Sequence, residues 1–537
     1  MSLEHEVIFY TDGRHSSVYI NEPPMDDRIY TAPIDELVDL GIDTITYAVG
    51  DCRVLLYDTK AGERWGHNVQ KTNHIIFYRA KRNLEAALAA GRDPLALVCA
   101  RAHALGFTFM PSMLMVMSHE PRAEVSNCRC SDFCMDHPEL QVGEEPDIPE
   151  ARWDHPKRLS YAHEAVRENR LAVIRELLED YDSDGLELNL YDYAPFVARR
   201  EIPEHTDTIT RFMREVRSIC DTAAQKQGRP KRLLVRAADS LAGTKALGID
   251  LETMIRESIV DTVLAMSPHS LEIAEPHPAG IAELVATAEG TGVRIVKGIS
   301  TGVRHDAYAS APRGMQIAQA ANAYAEGAQG VLFATYYPHG YPYSDHDLGT
   351  IRFMGRPDLL ALRDKHFFVR QGPNGTDDTP GDYQSPHPLP IPLETGHAGT
   401  PTQLYVCDDL VTRHTRGELA RCELRVRLLN LLDTDRFDLY LNDTLIPRSE
   451  QQWLDWTYST RPFPGTVRIL NHYWIVMDLA RRGPFPHTGD NQVRIDLIEH
   501  DPRVVHPVML HDVELVVDYR DHRHRPREED KWCDQGQ

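Results

Sequence analysis

The chain has 537 residues, of which 42% are hydrophobic, and a formal net charge of −23. Its length exceeds what one compact core supports, so we expect at least two domains. The acidic excess repels phosphate backbones and the chain has no basic patch, which argues against nucleic acid as a partner.

The N-terminal residues and the cysteines favour a cytoplasmic protein. Residues 1–17 lack the basic and long apolar regions of a signal peptide. No stretch has the roughly 18 apolar residues needed to cross a bilayer, so we expect no membrane partner. Nine scattered cysteines indicate reduced thiols rather than a disulfide scaffold. The sequence leaves a homo-oligomer open.

Eight strand-like apolar runs alternate with helical patterns, in which apolar residues recur every three or four positions. Eight such units in series predict a (β/α)8 TIM barrel of the α/β class. The rival is an open doubly wound sheet, but the segment TDGRHSS after the first strand has no G-x-G-x-x-G fingerprint. The predicted strands are Glu6–Arg14, Asp43–Asp51, Phe107–His119, Asp184–Phe196, Lys231–Asp239, Val260–Pro268, Val293–Thr301 and Gly330–Gly340.

Two insertions, at 52–81 and 120–156, interrupt the predicted barrel domain of residues 1–370. Both follow the C-terminal ends of strands, where barrels build active sites. A Pro-, Gly- and Thr-rich stretch at 371–402 predicts a linker. Short strands separated by turns over 403–521 predict a C-terminal antiparallel β-sandwich, and the charged residues 522–537 predict a mobile tail.

The fourth strand carries ionisable residues on one face. Leu186 and Leu188 fall on one side at period two, whereas Glu187 and Asn189 fall on the other. Strands of a parallel sheet are usually apolar on both faces, and a buried carboxylate needs a partner or a function. Glu187 is therefore the leading candidate for a catalytic carboxylate, and Asp192 is its expected partner. Asn189 is expected to bind substrate.

Three more acids end predicted strands. Asp12, Asp51 and Asp239 close the first, second and fifth strands, where they would face a substrate. The alternative is that each caps the following helix.

Two cations complete the predicted site. Arg236 and Lys297 are predicted to point inward from strands five and seven. They would pair with the strand-four acids or hold a substrate carboxylate, and a buried structural ion pair is an equally good interpretation. Lys297 is also a possible Schiff-base nucleophile.

Aromatic and imidazole side chains are expected at the mouth of the barrel. Tyr336 and His339 end strand eight and would contact sugar rings, although loop packing also accounts for them. His119 ends strand three and would act as an acid, a base or a ligand, or as a structural residue.

The second insertion contains Cys128, Cys130, Cys134 and His137, spaced C-x-C-x3-C-x2-H. Four such ligands within ten residues predict a possible structural zinc site. The alternative is a group of reduced thiols in a loop. We expect catalysis itself to require no cofactor.

The motifs TDGRHSS, ARAHALGFTFMPSM, DGLELNLYDY and LLVRAADSLAGTKALGID occur in an order that resembles glycosyl-hydrolase-like (β/α)8-barrel families of bacterial uncharacterised proteins. The resemblance covers Glu6 to Gly340, and the trailing sandwich resembles their accessory module. It implies a carbohydrate-active enzyme with Glu187 at the acidic strand-four position. Many such hydrolases also have a carboxylate on strand seven, where this chain has Lys297.

The sequence therefore predicts a glycoside hydrolase that cleaves a small carbohydrate substrate by carboxylate acid/base chemistry. One alternative is a sugar lyase or isomerase with Lys297, His119 or Tyr336 as base. Another is a carbohydrate-binding protein without catalysis.

Overall fold

A closed barrel of eight parallel strands, in the order β1 to β8, forms the first part of the chain in the computed structural model. The structure describes residues 5–69, 72, 74–117, 128–145, 156–192, 194–266, 277–300, 311–335, 345–371, 389–455 and 472–520. The predicted barrel is confirmed, with one strand inside each predicted run. The strands are β1 Glu6–Thr11, β2 Thr44–Ala48, β3 Thr108–Leu114, β4 Gly185–Asn189, β5 Arg232–Ala238, β6 Thr262–Met266, β7 Arg294–Ile299 and β8 Gly330–Thr335.

Helices connect the strands and continue beyond them. Short 3-10 turns lie at Pro138–Leu140, Arg199–Glu201 and Arg448–Glu450, and a π-helical turn spans Arg14–Val18 directly after β1. The α-helices are α1 Asp27–Asp35, α2 Ile75–Ala89, α3 Pro94–Ala104, α4 Asp132–Asp136, α5 Glu164–Glu179, α6 Ile202–Gln227, α7 Leu241–Ala246, α8 Leu251–Arg256, α9 Ala279–Ala288, α10 Arg313–Ala325, α11 Asp345–Ile351, α12 Pro357–Leu360, α13 Leu410–Thr415 and α14 Leu479–Arg482.

The long helix α6 shows how sequence sets these elements. Its buried residues recur at helical spacing and include Ile209, Met213, Val216 and Cys220. It ends at Gly228, which takes the left-handed conformation that commonly terminates a helix. No described helix is long and apolar enough to cross a membrane.

Alternating side chains of the barrel strands enter two separate cores. The inner core lies within the ring of strands and includes Ile8, Met110, Leu234, Leu264, Val296 and Leu332. The outer core lies between strands and helices and includes Phe9, Phe109, Leu186, Leu188, Val235 and Ile295. Because Leu186 and Leu188 belong to the outer core, Glu187 and Asn189 point into the barrel, as predicted.

An ion pair crosses the N-terminal end of the barrel. Arg232 on β5 donates to both carboxylate oxygens of Glu6 on β1, at 2.8 and 2.9 Å, and Thr44 donates at 2.6 Å. Burial alone would raise the pKa of Glu6, but Arg232 outweighs it and the pKa is lowered.

Two antiparallel sheets follow the barrel and enclose a second hydrophobic core, which confirms the predicted C-terminal β domain. One has six strands, of which five follow the order β10-β18-β12-β16-β15 while β9 also pairs with β18. The other has four, in the order β11-β17-β13-β14. These strands are β9 Lys365–Phe368, β10 Ile391–Pro392, β11 Thr402–Val406, β12 Leu419–Leu429, β13 Arg436–Leu441, β14 Thr444–Ile446, β15 Gln452–Leu454, β16 His472–Asp478, β17 Gly489–Glu499 and β18 Met509–Tyr519.

The first sheet recruits strands from outside the predicted sandwich. β9 lies within the predicted barrel domain and β10 within the predicted linker, yet both pair with β18. The barrel helix α10 also contacts this domain, because Cys407 donates its backbone N–H to Asn322 at 3.2 Å. The predicted tail at 522–537 lies outside the described residues.

Gly185 begins β4 at a point where the neighbouring backbone leaves no room for a side chain. A Cβ atom there would lie 2.0 Å from the carbonyl oxygen of Arg232. We therefore expect Gly185→Ala to lower the free energy of unfolding by about 3 kcal/mol or more, because the strand must shift. Chemical denaturation measures this change.

Gly91 provides the matched control. It has a φ of +71°, but a Cβ atom at this position would have no heavy atom within 4 Å. Gly91→Ala should cost only about 1 kcal/mol, the penalty for a left-handed alanine. Equal losses in the two variants would contradict the close approach of β4 to β5.

Candidate active site

Glu187 lies within the ring of strands and forms an ion pair with Arg236. The Arg236 Nη2 atom is 2.5 Å from Glu187 Oε1, and both side chains have zero exposure. The guanidinium carbon also lies 4.2 Å from the centre of the Tyr10 ring. The predicted pairing of Arg236 with Glu187 is therefore confirmed.

This ion pair accounts for a carboxylate inside the barrel, because Arg236 neutralises its charge. Burial alone would lower the pKa of Arg236, but the negative charge of Glu187, with a smaller contribution from Asp192, raises it above its usual value. The carboxylate oxygens and guanidinium nitrogens make no well-aligned hydrogen bond with described groups. A role for Glu187 in contact with substrate stays a prediction, and it would require the carboxylate to separate from Arg236.

Asp192 lies just beyond the end of β4. Asn189 donates its side-chain N–H to Asp192 Oδ2 at 2.6 Å, and the Asn189 side-chain oxygen accepts the backbone N–H of Asp192 at 3.0 Å. These two bonds hold Asp192 against the side chain of Asn189. Asp192 is partly buried.

The ends of β1 and β2 carry the same Asp-x-Arg arrangement. Asp12 accepts from the Nε and Nη2 atoms of Arg14, both at 2.9 Å, and from His15 Nδ1 at 2.8 Å. Asp51 accepts from Arg53 Nη2 at 2.8 Å and from the Arg53 backbone N–H at 2.9 Å. Arg14 Nη1 lies 3.9 Å from Asp51, which links the two arrangements.

These arginines keep both aspartates ionised. Burial alone would raise the pKa of Asp12, but Arg14 and His15 hold it well below its usual range. Burial is likewise outweighed at Asp51, where Arg53 and Arg14 hold the pKa well below its usual range. A carboxylate held this way is a poor general acid near neutral pH.

Lys297 does not point into the barrel, so that prediction is wrong. It pairs in register with Ala265 and Val331, which belong to the outer core. Side chains opposite one another on neighbouring strands share a face, so Lys297 faces the helices. Its Nζ atom lies 2.7 Å from Asp239 Oδ2, and both side chains are buried.

Three predicted mouth residues, His119, Tyr336 and His339, lie outside the described residues. Their predicted roles stay predictions.

The candidate zinc ligands differ in burial. Cys134 interacts electrostatically with Cys130 and Cys52, and burial raises its pKa to about 12. His137 is exposed and its Nδ1 atom lies 2.9 Å from Glu139. Within the described ranges, no three of Cys128, Cys130, Cys134 and His137 bring ligand atoms within 4.8 Å of one another. A zinc ion bound by these four side chains stays a prediction. All eight cysteines in those ranges are free thiols.

A different trio with metal-ligand chemistry joins the two insertions. The side-chain atoms of Glu63, His67 and Asp132 lie within 4.8 Å of one another. His67 Nε2 is 2.9 Å from Asp132 and 3.5 Å from Glu63. Hydrogen bonding to Glu63, then to Asp132, raises the pKa of His67 to about 9. A protonated His67 between two carboxylates therefore accounts for the trio.

Sequence reasoning missed Arg14, Arg53 and Tyr10. The signal for the two arginines was available, because Asp-x-Arg occurs at the ends of two consecutive predicted strands, as TDGRH and GDCRV. Tyr10 carries no such signal, because its contact with Arg236 joins strands far apart in sequence.

No protein-family model and no curated protein sequence matches the chain. Similar solved structures include a cycloisomaltooligosaccharide glucanotransferase from a Paenibacillus species, complexed with cycloisomaltoheptaose, at 11% identity and a TM-score of 0.35. That alignment covers 95% of this chain and 57% of the other, so this chain spans little more than half of that protein's length.

Two further similar structures belong to other bacterial enzymes. A maltogenic α-amylase from Thermotoga neapolitana has 12% identity and a TM-score of 0.38, over 69% of this chain and 81% of the other. An α-galactosidase variant from Geobacillus stearothermophilus, in complex with stachyose, has 9% identity and a TM-score of 0.37, over 92% and 56%. The predicted resemblance to glycosyl-hydrolase-like barrels is confirmed as a structural similarity, and nothing about activity follows from it.

Removing one member of the buried ion pair should lower the stability of the folded protein. We expect Arg236→Met to lower the free energy of unfolding by about 3–5 kcal/mol, because it leaves the Glu187 carboxylate buried without a counter-charge. The double variant Glu187→Gln/Arg236→Met should lose less than the sum of the single changes, with a coupling of about 1–3 kcal/mol. Urea denaturation of the four proteins measures both quantities.

Arg214 provides the control, because its ion pair with Glu257 lies on the surface at 2.8 Å. Arg214→Met should cost at most about 1 kcal/mol. Strictly additive losses at Glu187 and Arg236 would show that the two charges do not depend on each other.

Proposed function

We propose that this chain is a glycoside hydrolase in which Asp192 is the carboxylate that contacts the substrate. The supporting observation is a contrast in burial among four aspartates at or just beyond strand ends. The side chains of Asp12, Asp51 and Asp239 are at most 6% exposed. Asp192 is only partly buried, and Asn189 donates a hydrogen bond that orients its carboxylate.

This contrast matters because an active-site carboxylate must reach the substrate. A fully buried carboxylate cannot come within hydrogen-bond reach of a sugar unless the surrounding structure opens. The Asn189 amide donates one hydrogen bond to Asp192 and orients its carboxylate. Asp192 also lies at the C-terminal end of a barrel strand, where TIM-barrel enzymes place catalytic groups.

Asp192 fits the ionised member of the carboxylate pair used in glycosidic bond cleavage. The transition state of that reaction resembles an oxocarbenium ion, and a nearby carboxylate stabilises its positive charge. The positive charge of Arg236 favours the ionised form of Asp192. A TIM barrel is compatible with this proposal but does not by itself indicate glycoside hydrolysis, because the fold supports many unrelated reactions.

The lyase and isomerase alternatives lose one of their candidate bases. Lys297 pairs with Asp239 on the outer face of the barrel and is not available as a base or Schiff-base nucleophile at its centre. The other two candidates, His119 and Tyr336, lie outside the described residues.

Asp192→Asn tests the proposal because the amide keeps the shape of the side chain and removes its charge. We expect kcat to fall by about 10³-fold or more, which corresponds to roughly 4 kcal/mol of lost transition-state stabilisation. The free energy of unfolding should change by less than about 1 kcal/mol, as for most substitutions outside the core. Release of nitrophenol from a panel of nitrophenyl glycosides gives the rate.

Asp207→Asn is the matched control. Asp207 is exposed on α6 and forms a 3.2 Å ion pair with Arg211 on the same helix. This variant should retain the rate of the unaltered chain. Full activity in Asp192→Asn, or an unsaturated product instead of the products of hydrolysis, would reject the proposed function.

A further inference from the structure

The inner face of the barrel connects Asp192 to the buried ion pair. Asn189, which holds Asp192, lies directly opposite Arg236 in the register of β4 and β5. The backbone N–H of Leu190 donates to the Arg236 carbonyl at 3.0 Å and fixes this register. Side chains opposite one another on parallel strands share a face, so Arg236 and Asn189 are lateral neighbours inside the barrel.

Arg236 therefore lies between two carboxylates. Glu187, on its N-terminal side, is 2.5 Å away and fully buried. Asp192, on its C-terminal side, interacts with Arg236 electrostatically and is only partly buried. Arg236 and Glu187 are fully buried, so the charge of each changes the protonation of a neighbouring group more strongly than it would at a surface.

We propose that Arg236 is a positioning residue that keeps Asp192 ionised, and that Glu187 limits how much of the Arg236 charge acts on Asp192. Neither Arg236 nor Glu187 has to touch the substrate in this arrangement. The inference rests on the proposed function for its kinetic readout. It assigns a role to the strand-four carboxylate that is sealed inside the barrel.

The proposal makes two neutral substitutions act in opposite directions. Arg236→Gln removes the positive charge and leaves Glu187 unbalanced, so Asp192 should take up a proton more readily. Glu187→Gln removes the competing negative charge, so Asp192 should release its proton more readily. A loss of packing alone would not reverse sign between the two variants.

The test is the pH dependence of kcat/KM, whose acidic limb reports the protonation of an essential carboxylate in the free enzyme. We expect the limb to move up by about one pH unit in Arg236→Gln and to move down in Glu187→Gln. Arg236→Lys keeps the charge and should restore most of the original profile.

Arg232→Gln is the matched control. Arg232 lies on the same strand and also pairs with a buried carboxylate, Glu6, but four residues towards the N-terminal end, about 13 Å away at the usual rise per residue. Coulombic energy falls with distance, so Arg232 should act on Asp192 more weakly than Arg236 does. The acidic limb should therefore move much less in Arg232→Gln than in Arg236→Gln.

A second readout separates this inference from the proposed function. NMR of protein labelled with ¹³C at the aspartate carboxyl carbons, with the Asp192 signal assigned from its loss in Asp192→Asn, follows the same protonation without turnover. Absence of turnover on every glycoside would reject the proposed function, and the NMR titration would then decide the inference. Shifts in the same direction for Arg236→Gln and Glu187→Gln, or none beyond the Arg232→Gln control, would overturn it.

Discussion

The ion pair between Glu187 and Arg236 is the constraint on which the candidate site depends. Each charge lies inside a closed ring of strands, where an isolated ion would cost several kcal/mol, so each residue stabilises the other. The pair joins β4 to β5, and Tyr10 on β1 adds its ring to the guanidinium. This charge pair lies on the N-terminal side of Asn189 and contributes to the electrostatic surroundings of Asp192.

Paired charges recur along the axis of the barrel. Glu6 and Arg232 form an ion pair across its N-terminal end. Glu187 and Arg236 form the next pair, between β4 and β5. The two linked Asp-x-Arg arrangements lie just beyond the C-terminal ends of β1 and β2. Each pairing gives a buried carboxylate a counter-charge. Asp192 is partly exposed whereas Glu187 is fully buried, so the proposal rests on Asp192 and not on Glu187.

Local patterns in the sequence were enough to predict the strands and the orientation of β4, because hydrophobic alternation indicates which face of a strand is buried. They failed at Lys297, since VRIVKGI is apolar at both odd and even positions and does not define a face. The pairing of β9 and β10 with β18 depends on contacts between residues more than 100 positions apart. The sequence suggested Arg236 as a partner of Glu187, but the complete burial that makes the pair structural appears only once the barrel closes.

The central claim is that Asp192 is the carboxylate presented to a sugar. Reaction with sugar epoxides, which esterify a carboxylate positioned next to the anomeric carbon, followed by peptide mass mapping, tests it most directly. The account predicts an ester on Asp192 that excess unmodified sugar prevents. An ester on Glu187, Asp12, Asp51 or Asp239 with Asp192 unmodified would contradict it.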